Sequence, residues 1–394
     1  MDKEMIKSIF QKYTMIIVLI LVTLFFAWRT GGSILYPQNV SNLISQNAYV
    51  FVLTTGMLLC ILTGGNVDLS IGSVVCFVGA IGAVVMQNNG MSIPVTIICM
   101  IIAGVLIGAW QGYWVAFHRI PPFIVTLAGM FIFRGLSNIV LSGKTISLNS
   151  DTSKLFVQIF GGGASCYVPD FFGMEGFNLT AMLIGVALVV IYVGITLVGR
   201  INKKKKGYAL DSATATYVKL VAISAVILWF TYKFALYKGI PNALIWVSLV
   251  VLAYGYMTSN TTVGRYFYAV GGNEKATKLS GINTDKVYFI AYTNMGFLSA
   301  VAAMLMIARM SSANPTYGDS YEMDAIGSCF IGGASAYGGA GTVPGVIIGA
   351  TLMGVINLGM SIMGIDANYQ KVVKGAVLLA AVIFDVISKR ENSK

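Results

Sequence analysis

Apolar runs of about the length of a membrane-crossing helix follow one another along almost the entire chain. They lie at roughly 15–35, 43–63, 69–86, 93–117, 121–141, 179–199, 218–237, 240–258, 288–308, 326–337, 343–363 and 371–388. A helix needs about 20 predominantly apolar residues to cross the hydrocarbon core of a bilayer. The pattern therefore predicts an all-α fold, a polytopic membrane helix bundle of about twelve spans, with residues 1–394 in a single domain.

The composition removes the alternative of a water-soluble protein. Hydrophobic residues make up 57% of the chain and charged residues only 10%, whereas a soluble globular domain carries about 25% charged residues. A soluble fold of this length would need far more charged side chains to cover its surface. Once about twelve spans are counted, the remaining residues suffice for short loops, and no large soluble domain fits between them.

Basic residues are distributed unevenly between alternate loops. The net charge is +11, and the Lys and Arg side chains concentrate around Lys3–Lys12, Arg119, Arg200–Lys206, Arg265–Lys286 and Lys389–Lys394. Cytoplasmic loops of membrane proteins carry such an excess of positive charge. The alternation predicts that both termini face the cytoplasm. It also explains the charge without a nucleic-acid partner, which would need a basic stripe or groove.

Two glycine-bearing segments interrupt the apolar runs. The first, residues 63–70, carries Gly64, Gly65 and the carboxylate of Asp68; the second, residues 326–342, is too short and too rich in glycine for a complete span. Irregular backbone at membrane depth is tolerated where protein or a water-filled cavity satisfies its amides, and broken helices of this kind line transport routes. Tight turns that let helices pack closely through small residues are the other interpretation, and the sequence leaves both open.

The segment 264–286 is the longest connection on the side predicted to be cytoplasmic. Between Asn273 and Gly281 the residues suit a short helix, because Asn273 can cap its start, Glu274 suits its positive end and Gly281 can stop it. One side of this helix would carry Ala276, Leu279 and Ser280. Such a helix is either a rigid knob for another protein or an ordinary solvated connector.

The residue patterns that catalysis or metal binding would require are missing from the sequence. His118 is the one histidine, and the five cysteines are scattered without the spacing of a zinc site or a disulfide framework. Gly143, Lys144 and Thr145 match the end of a phosphate-binding loop, but the first glycine of that motif would fall on Asn138. We therefore predict no catalytic residue, no metal site, no cofactor and no means of binding ATP in this chain.

Polar side chains within the apolar runs are the candidates for contact with a solute. An ionisable group exposed to lipid is costly, so Asp68, Arg134 and Arg309 should face the interior or an interface. Asp68 either borders a passage or caps a helix that starts at Leu69. Because the spans carry neither an arginine ladder nor a chain of carboxylates, a neutral polar solute suits them best. The candidate residues of a translocation pathway are Asn47, Asp68, Ser70, Gln111, Asn138, Asn294 and Asn357.

Four segments resemble the membrane-spanning permease of bacterial ABC importers for monosaccharides, the ribose/xylose/galactose group. They are Thr63–Gly72, Gly264–Asn283, Asp324–Gly341 and Gln370–Asp385, and the resemblance extends over nearly the whole chain. The resemblance implies a fold of the type II ABC importer kind and a permease homodimer in the bacterial cytoplasmic membrane. It also implies ATPase subunits, holding ATP and Mg, on the cytoplasmic side and a sugar-binding protein outside.

The same resemblance implies that residues 264–286 are a cytoplasmic coupling loop on which the ATPase docks. The implied docking residues are Gly271, Gly272, Asn273, Glu274, Ala276, Thr277, Leu279, Ser280 and Gly281. The general importer pattern is Glu-Ala-Ala, three residues and then glycine. Here Glu274 is followed by Lys275 and Ala276, and Gly281 comes one position late, which affects the individual contacts rather than the loop.

The chain is longer than the ribose-type permeases, and the extra length corresponds to an insertion of two spans within residues 200–260. In this it resembles the xylose and multiple-monosaccharide subgroup. The expected function is therefore the permease subunit of an importer for D-xylose or a related pentose or hexose. The alternative is an ion-coupled secondary sugar transporter that works without an ATPase, and the lack of a carboxylate relay argues against it.

Overall fold

The computed structural model describes residues 3–161, 166–208 and 212–392, and most of these residues lie in helices. The elements in chain order are α1 (Lys3–Arg29), α2 (Pro37–Leu62), α3 (Ile71–Ala83), α4 (Ile93–Phe117), α5 (Pro122–Leu141), β1 (Ile146–Ser147), α6 (Asp151–Phe160), α7 (Leu179–Lys205), α8 (Ala213–Ala235), α9 (Asn242–Asn260), α10 (Thr262–Gly272), α11 (Glu274–Leu279), α12 (Thr284–Met310), β2 (Ser312–Ala313), α13 (Tyr321–Ile331), α14 (Val343–Ile362) and α15 (Ala367–Asn392). A π-helical turn, Val84–Asn88, extends α3.

The predicted polytopic helical fold is confirmed. Among the described residues, nine helices are long and apolar enough to cross a bilayer, namely α2, α3 with its extension, α4, α5, α7, α8, α9, α12 and α14. Helix α1 adds a further apolar stretch, Thr14–Arg29. The run at 326–337 is not a separate span, because α13 ends at Ile331 and the left-handed backbone of Gly333 turns the chain away.

Helices α2 and α12 form the centre of the bundle. In the most apolar stretch of α2, 89% of the residues are buried, and in that of α12, 72% are buried. Helix α12 packs closely on α4 because glycines face each other there: a Cβ atom on Gly104 would lie 2.5 Å from the carbonyl oxygen of Gly296. Small residues at helix crossings allow this close approach in membranes.

Helices α7 and α8 lie at the periphery, since their apolar faces are almost entirely exposed. The predicted two-span insertion at 200–260 corresponds to α8 and α9, which follow the cluster Lys203–Lys206 at the end of α7. Residues 209–211 of this insertion, 162–165 of the loop before α7, and the terminal residues 1–2 and 393–394 lie outside the described residues. Lipid is the environment that such apolar exposed helices require.

The connections between helices gather at two ends of the bundle. The end that we call the basic face carries Arg119, the α7–α8 connection and helices α10 and α11. The opposite end, the loop face, carries α6 and the antiparallel pair of β1 and β2, in which Ile146 faces Ala313. This segregation agrees with the alternation of loops along the sequence, whereas the assignment of the basic face to the cytoplasm stays a prediction.

Candidate functional site

The two glycine-bearing breaks of the sequence meet in the structure. The backbone N–H of Gly339 donates a hydrogen bond to the carbonyl of Leu62 at 3.1 Å. A Cβ atom on Gly338 would lie 2.5 Å from the Cα atom of Gly64, and one on Gly65 would lie 1.9 Å from the carbonyl oxygen of Ala336. Positive φ angles at these glycines also exclude most side chains. We call the contact of Gly64, Gly65, Gly338 and Gly339 the glycine junction.

The predicted coupling loop, residues 264–286, lies directly on the glycine junction. Gly271, in the last turn of α10, comes so close that a Cβ atom there would lie 1.8 Å from the carbonyl oxygen of Leu62 and 2.4 Å from the amide nitrogen of Gly339. The hydroxyl of Tyr268 donates to the carbonyl of Gly341 at 2.8 Å. A displacement of α10 must therefore reach both breaks of the bundle, because close-packed backbone transmits strain.

Helix α11 forms as the sequence predicts. The side chain of Asn273 accepts a hydrogen bond from the backbone N–H of Ala276 at 3.0 Å, and Gly281 has a φ angle of +84° where the chain leaves the helix. Thr277 is buried and its hydroxyl donates to the carbonyl of Ala269 at 2.8 Å, which ties α11 to α10. Leu279 is 89% exposed. The exposed residues of the predicted docking set are Gly272, Asn273, Ala276, Leu279, Ser280 and Gly281.

Arg119 holds the start of α11 against the rest of the bundle. It donates to Glu274 at 2.6 Å and also pairs with Asp285, while the hydroxyl of Tyr288 donates to the other oxygen of Glu274 at 3.1 Å. Burial alone would raise the pKa of Glu274, but the hydrogen bond and the charge of Arg119 outweigh it and hold that pKa below its usual value. The ion pair is therefore complete at neutral pH and is lost only as the pH falls through the lowered pKa.

Three of the candidate pathway residues form one hydrogen-bonded group in the interior. Asp68 Oδ1 accepts from the backbone N–H of Ser70 at 2.8 Å and from its hydroxyl at 2.7 Å. Gln111 Nε2 donates to the same hydroxyl oxygen at 2.7 Å. All three residues are buried. Of the two interpretations of Asp68, the cap of a helix starting at Leu69 is wrong, because α3 begins at Ile71 and Asp68 makes a turn with Ser70 two residues on. Its place beside a passage stays a prediction.

The other candidates lie apart from this group. Asn47 is buried and donates to the carbonyl of Leu43 in its own helix at 2.8 Å. Asn294 accepts a hydrogen bond from Tyr254, and Asn138 is exposed on α5. Asn357 is partly buried on α14 and has an unpartnered oxygen within the described part of the chain. Their role in a pathway stays a prediction.

Arg134 faces the protein interior, in agreement with the prediction from its position in a span. Its Nη1 atom donates to the carbonyls of Pro315 at 3.1 Å and Tyr317 at 2.6 Å. These carbonyls belong to the segment 314–320, which enters the bundle beside α3, so that a Cβ atom on Gly72 would lie 2.1 Å from the carbonyl oxygen of Gly318. Arg134 thus satisfies irregular backbone that lipid could not satisfy.

A buried ion pair that we did not predict holds α13 to α15. Both carboxylate oxygens of Asp324 lie within 3.0 Å of Lys374 Nζ, and Tyr49 of α2 donates to the same carboxylate at 3.1 Å. Asp324 is 1% exposed. The ring of Tyr49 also stacks on that of Tyr321, with 3.7 Å between the centroids. The available signal was a carboxylate just before the apolar run at 326–337 and a lysine within the run at 371–388.

In the part of the chain that the structure describes, no three His, Cys, Asp or Glu side chains lie close enough together to hold a metal ion. The site consists of membrane-length helices, the two glycine-bearing breaks between them, and the exposed short helix α11. What it offers chemically is hydrogen bonds from buried polar side chains and mechanical contact through the exposed helix α11.

Comparison with known proteins shows the family to which this chain belongs. The family described as "Branched-chain amino acid transport system / permease component" matches residues 39–168 and 170–382. The chain belongs to this family of permeases. Its relatives include the xylose transport system permease protein XylH of Escherichia coli K12, which is 35% identical over 97% of this chain and 93% of the relative. No solved structure matches the chain.

Two further relatives extend this comparison of the permease. XylH of Haemophilus influenzae is 34% identical over 97% of both chains. The ribose import permease protein RbsC of E. coli K12 is 31% identical over 88% of this chain and 85% of the relative. The match to XylH therefore covers more of this permease than the match to RbsC, and the predicted two-span insertion at 200–260 stays a prediction.

Proposed function

We propose that this permease is the membrane subunit of an ABC importer that carries D-xylose or a related pentose or hexose. Two copies would form the translocation pathway in the bacterial cytoplasmic membrane, with the basic face and both termini in the cytoplasm. Separate ATPase subunits would hold ATP and Mg against the basic face, and a sugar-binding protein would deliver solute at the loop face. Support comes from the names of the relatives and from the excess of basic residues at one end.

The observation that best supports this proposal is the close contact between the coupling loop and the glycine junction. Gly271 touches the backbone of both breaks, while Leu279 is exposed beyond them. An apolar side chain so exposed at the end of a capped helix suits a partner protein. When the ATPase subunits close on ATP, they would displace α11 and α10, and the junction would pass the displacement to α3 and α13, changing which side of the passage is open.

Uptake of labelled xylose tests the solute class and the energy source together. In proteoliposomes that contain the permease, the ATPase and the sugar-binding protein, ATP should drive accumulation of xylose, and a nonhydrolysable ATP analogue should not. Labelled leucine provides the comparison, because the family description names amino acids. Accumulation of leucine without xylose would contradict the assignment to a sugar.

Substitution Leu279→Asp tests the docking role of α11. The side chain of Leu279 is 89% exposed and contributes little to folding, so the variant should fold normally. We expect the amount of ATPase that copurifies with it to fall at least about tenfold, since burying an unpaired charge in an interface is costly. Tyr208→Asp is the matched control, because Tyr208 is also exposed on the basic face but lies in the α7–α8 connection. Equal copurification with both variants would argue against docking on α11.

A further inference from the structure

Helices α7 and α8 form a hairpin that packs on the bundle through one end. Within the described part of this hairpin the buried residues lie near the loop face, namely Thr180, Ala181 and Gly185 of α7 and Thr231, Phe234 and Ala235 of α8. Towards the basic face, the side chains of Ile195, Val198 and Val221 are more than half exposed. Because exposed apolar side chains of a membrane helix require a lipid environment, lipid surrounds the basic half of the hairpin.

Arg200 of α7 and Lys219 of α8 are neighbours at the edge of the hydrocarbon. Residues 179–199 of α7 carry no charge, and at about 1.5 Å per residue they span about 30 Å, the thickness of the hydrocarbon core of a bilayer. Arg200 therefore lies at the level of the lipid headgroups. Its Nη1 atom donates to the hydroxyl of Thr216 at 2.6 Å, and Lys219 follows Thr216 by three residues, so Lys219 lies beside the residue that binds Arg200.

Neither of these two cations has an ion-pair partner among the residues that the structure describes. Lys219 is exposed, and no residue in the most apolar stretch of α8 is buried. Lys203–Lys206 add further positive charge at the end of α7, while Asp211, the one acidic residue of the sequence 179–235, lies outside the described residues. Adjacent like charges repel and an unpaired charge facing lipid is costly, so an anion bound here would stabilise both cations.

An anionic phospholipid fits this position better than a soluble partner does. Lys219 lies six residues after Ala213, which at about 1.5 Å per residue places it about 9 Å inside the start of α8. A soluble partner such as the ATPase can meet Lys203–Lys206 but not a lipid-facing side chain at that depth. A phospholipid carries its phosphate where the long side chain of Lys219 reaches, and its acyl chains can lie along the exposed apolar faces of α7 and α8.

We propose that Arg200 and Lys219 form a binding site for the phosphate of an anionic phospholipid. Guanidinium and ammonium groups form strong, charge-assisted hydrogen bonds with phosphate, and basic pockets between membrane helices bind lipid headgroups. Lys203–Lys206 extend the positive field over the neighbouring headgroups and hold the basic end of the α7–α8 hairpin at the membrane surface. The site does not depend on the solute that the permease carries.

Lipid binding by the purified full-length permease tests this site. Native mass spectrometry in detergent gives apparent dissociation constants for the first bound molecule of dioleoylphosphatidylglycerol, which is anionic, and of dioleoylphosphatidylcholine, which has no net charge. One basic residue near a headgroup strengthens the attraction about fivefold. Arg200→Gln and Lys219→Gln should therefore each weaken binding of the anionic lipid about fivefold, and the double variant at least about tenfold, with binding of the neutral lipid unchanged.

Two single substitutions are the matched controls. Lys219→Arg keeps the charge, and Lys233→Gln removes one charge from the same helix near the loop face, where Lys233 lies over the ring of Trp229. Both variants should bind the anionic lipid within about twofold of the wild-type permease. Because neither Arg200 nor Lys219 is buried, all of these variants should fold normally.

Three results would contradict the lipid site. Equal binding of phosphatidylglycerol by the wild-type permease and the double variant would overturn it. Displacement of that lipid by millimolar inorganic phosphate would show a site for free anions instead. Loss of the copurifying ATPase from the double variant, with lipid binding unchanged, would assign the two residues to a protein partner. None of these measurements involves sugar uptake, so the proposed function can fail while the lipid site stands.

Discussion

Replacement of Lys374 by methionine is expected to destabilise the bundle by about 3–5 kcal/mol, because it leaves the carboxylate of Asp324 buried without its countercharge. Asp324 is 1% exposed, and Lys374 is its ion-pair partner among the described residues. The free cysteines Cys60, Cys76 and Cys329 are buried and report unfolding. Purified Lys374→Met should therefore expose them to a thiol-reactive fluorophore at a clearly lower temperature than the wild-type protein.

Two further variants show whether Lys374→Met loses stability because a charge is left buried or because a lysine side chain is missing. The double variant Asp324→Asn with Lys374→Met removes both charges and keeps an acceptor for Tyr49, so most of the lost stability should return. Lys371→Met breaks the half-exposed pair with Asp319 and should cost at most about 1 kcal/mol. Melting of Lys374→Met at the wild-type temperature would contradict the assignment of a buried ion pair.

Replacement of Gly271 by valine is expected to reduce ATP-driven uptake about tenfold or more. A Cβ atom at this position would lie 1.8 Å from the carbonyl oxygen of Leu62 and 2.4 Å from the amide nitrogen of Gly339, so α10 must move off the glycine junction. Overpacking of this kind costs about 1–3 kcal/mol, and each 1.4 kcal/mol corresponds to a factor of ten. Uptake of labelled sugar by the reconstituted complex measures the effect.

A glycine outside the predicted docking set supplies the matched control for this substitution. A Cβ atom on Gly199 of α7 would meet nothing within 4 Å, so Gly199→Val should transport at close to the wild-type rate. Both variants should melt as cooperatively as the wild-type protein in the cysteine assay, which separates loss of coupling from loss of folding. Equal transport by Gly271→Val and Gly199→Val would mean that contact between α10 and the junction is not needed.

Local patterns were sufficient to predict much of the fold. The apolar runs identified most of the crossing helices, and the sequence Asn273–Gly281 identified α11, because capping and helix ends depend on residues that are neighbours in the chain. The same reasoning failed at Asp68, where a turn with Ser70 competed with helix capping and α3 began two residues later than expected.

Contacts between distant segments could not be predicted in this way. Nothing local indicates that Gly64 meets Gly338, that Asp324 pairs with Lys374, or that the segment 314–320 enters the bundle. These contacts depend on how the helices pack, and many packings satisfy the same hydrophobic pattern. For the same reason the predicted pathway residues separated into a bonded group, Asp68, Ser70 and Gln111, and others that lie elsewhere.

The central claim is that an external ATPase drives this chain through α11, so the decisive measurement is sugar accumulation with and without that partner. Proteoliposomes with the permease, the ATPase, the sugar-binding protein and ATP should concentrate xylose well above the external level. Those with the permease alone should show none, whether or not a proton or sodium gradient is imposed. Accumulation of xylose against its gradient by the permease alone would contradict the account.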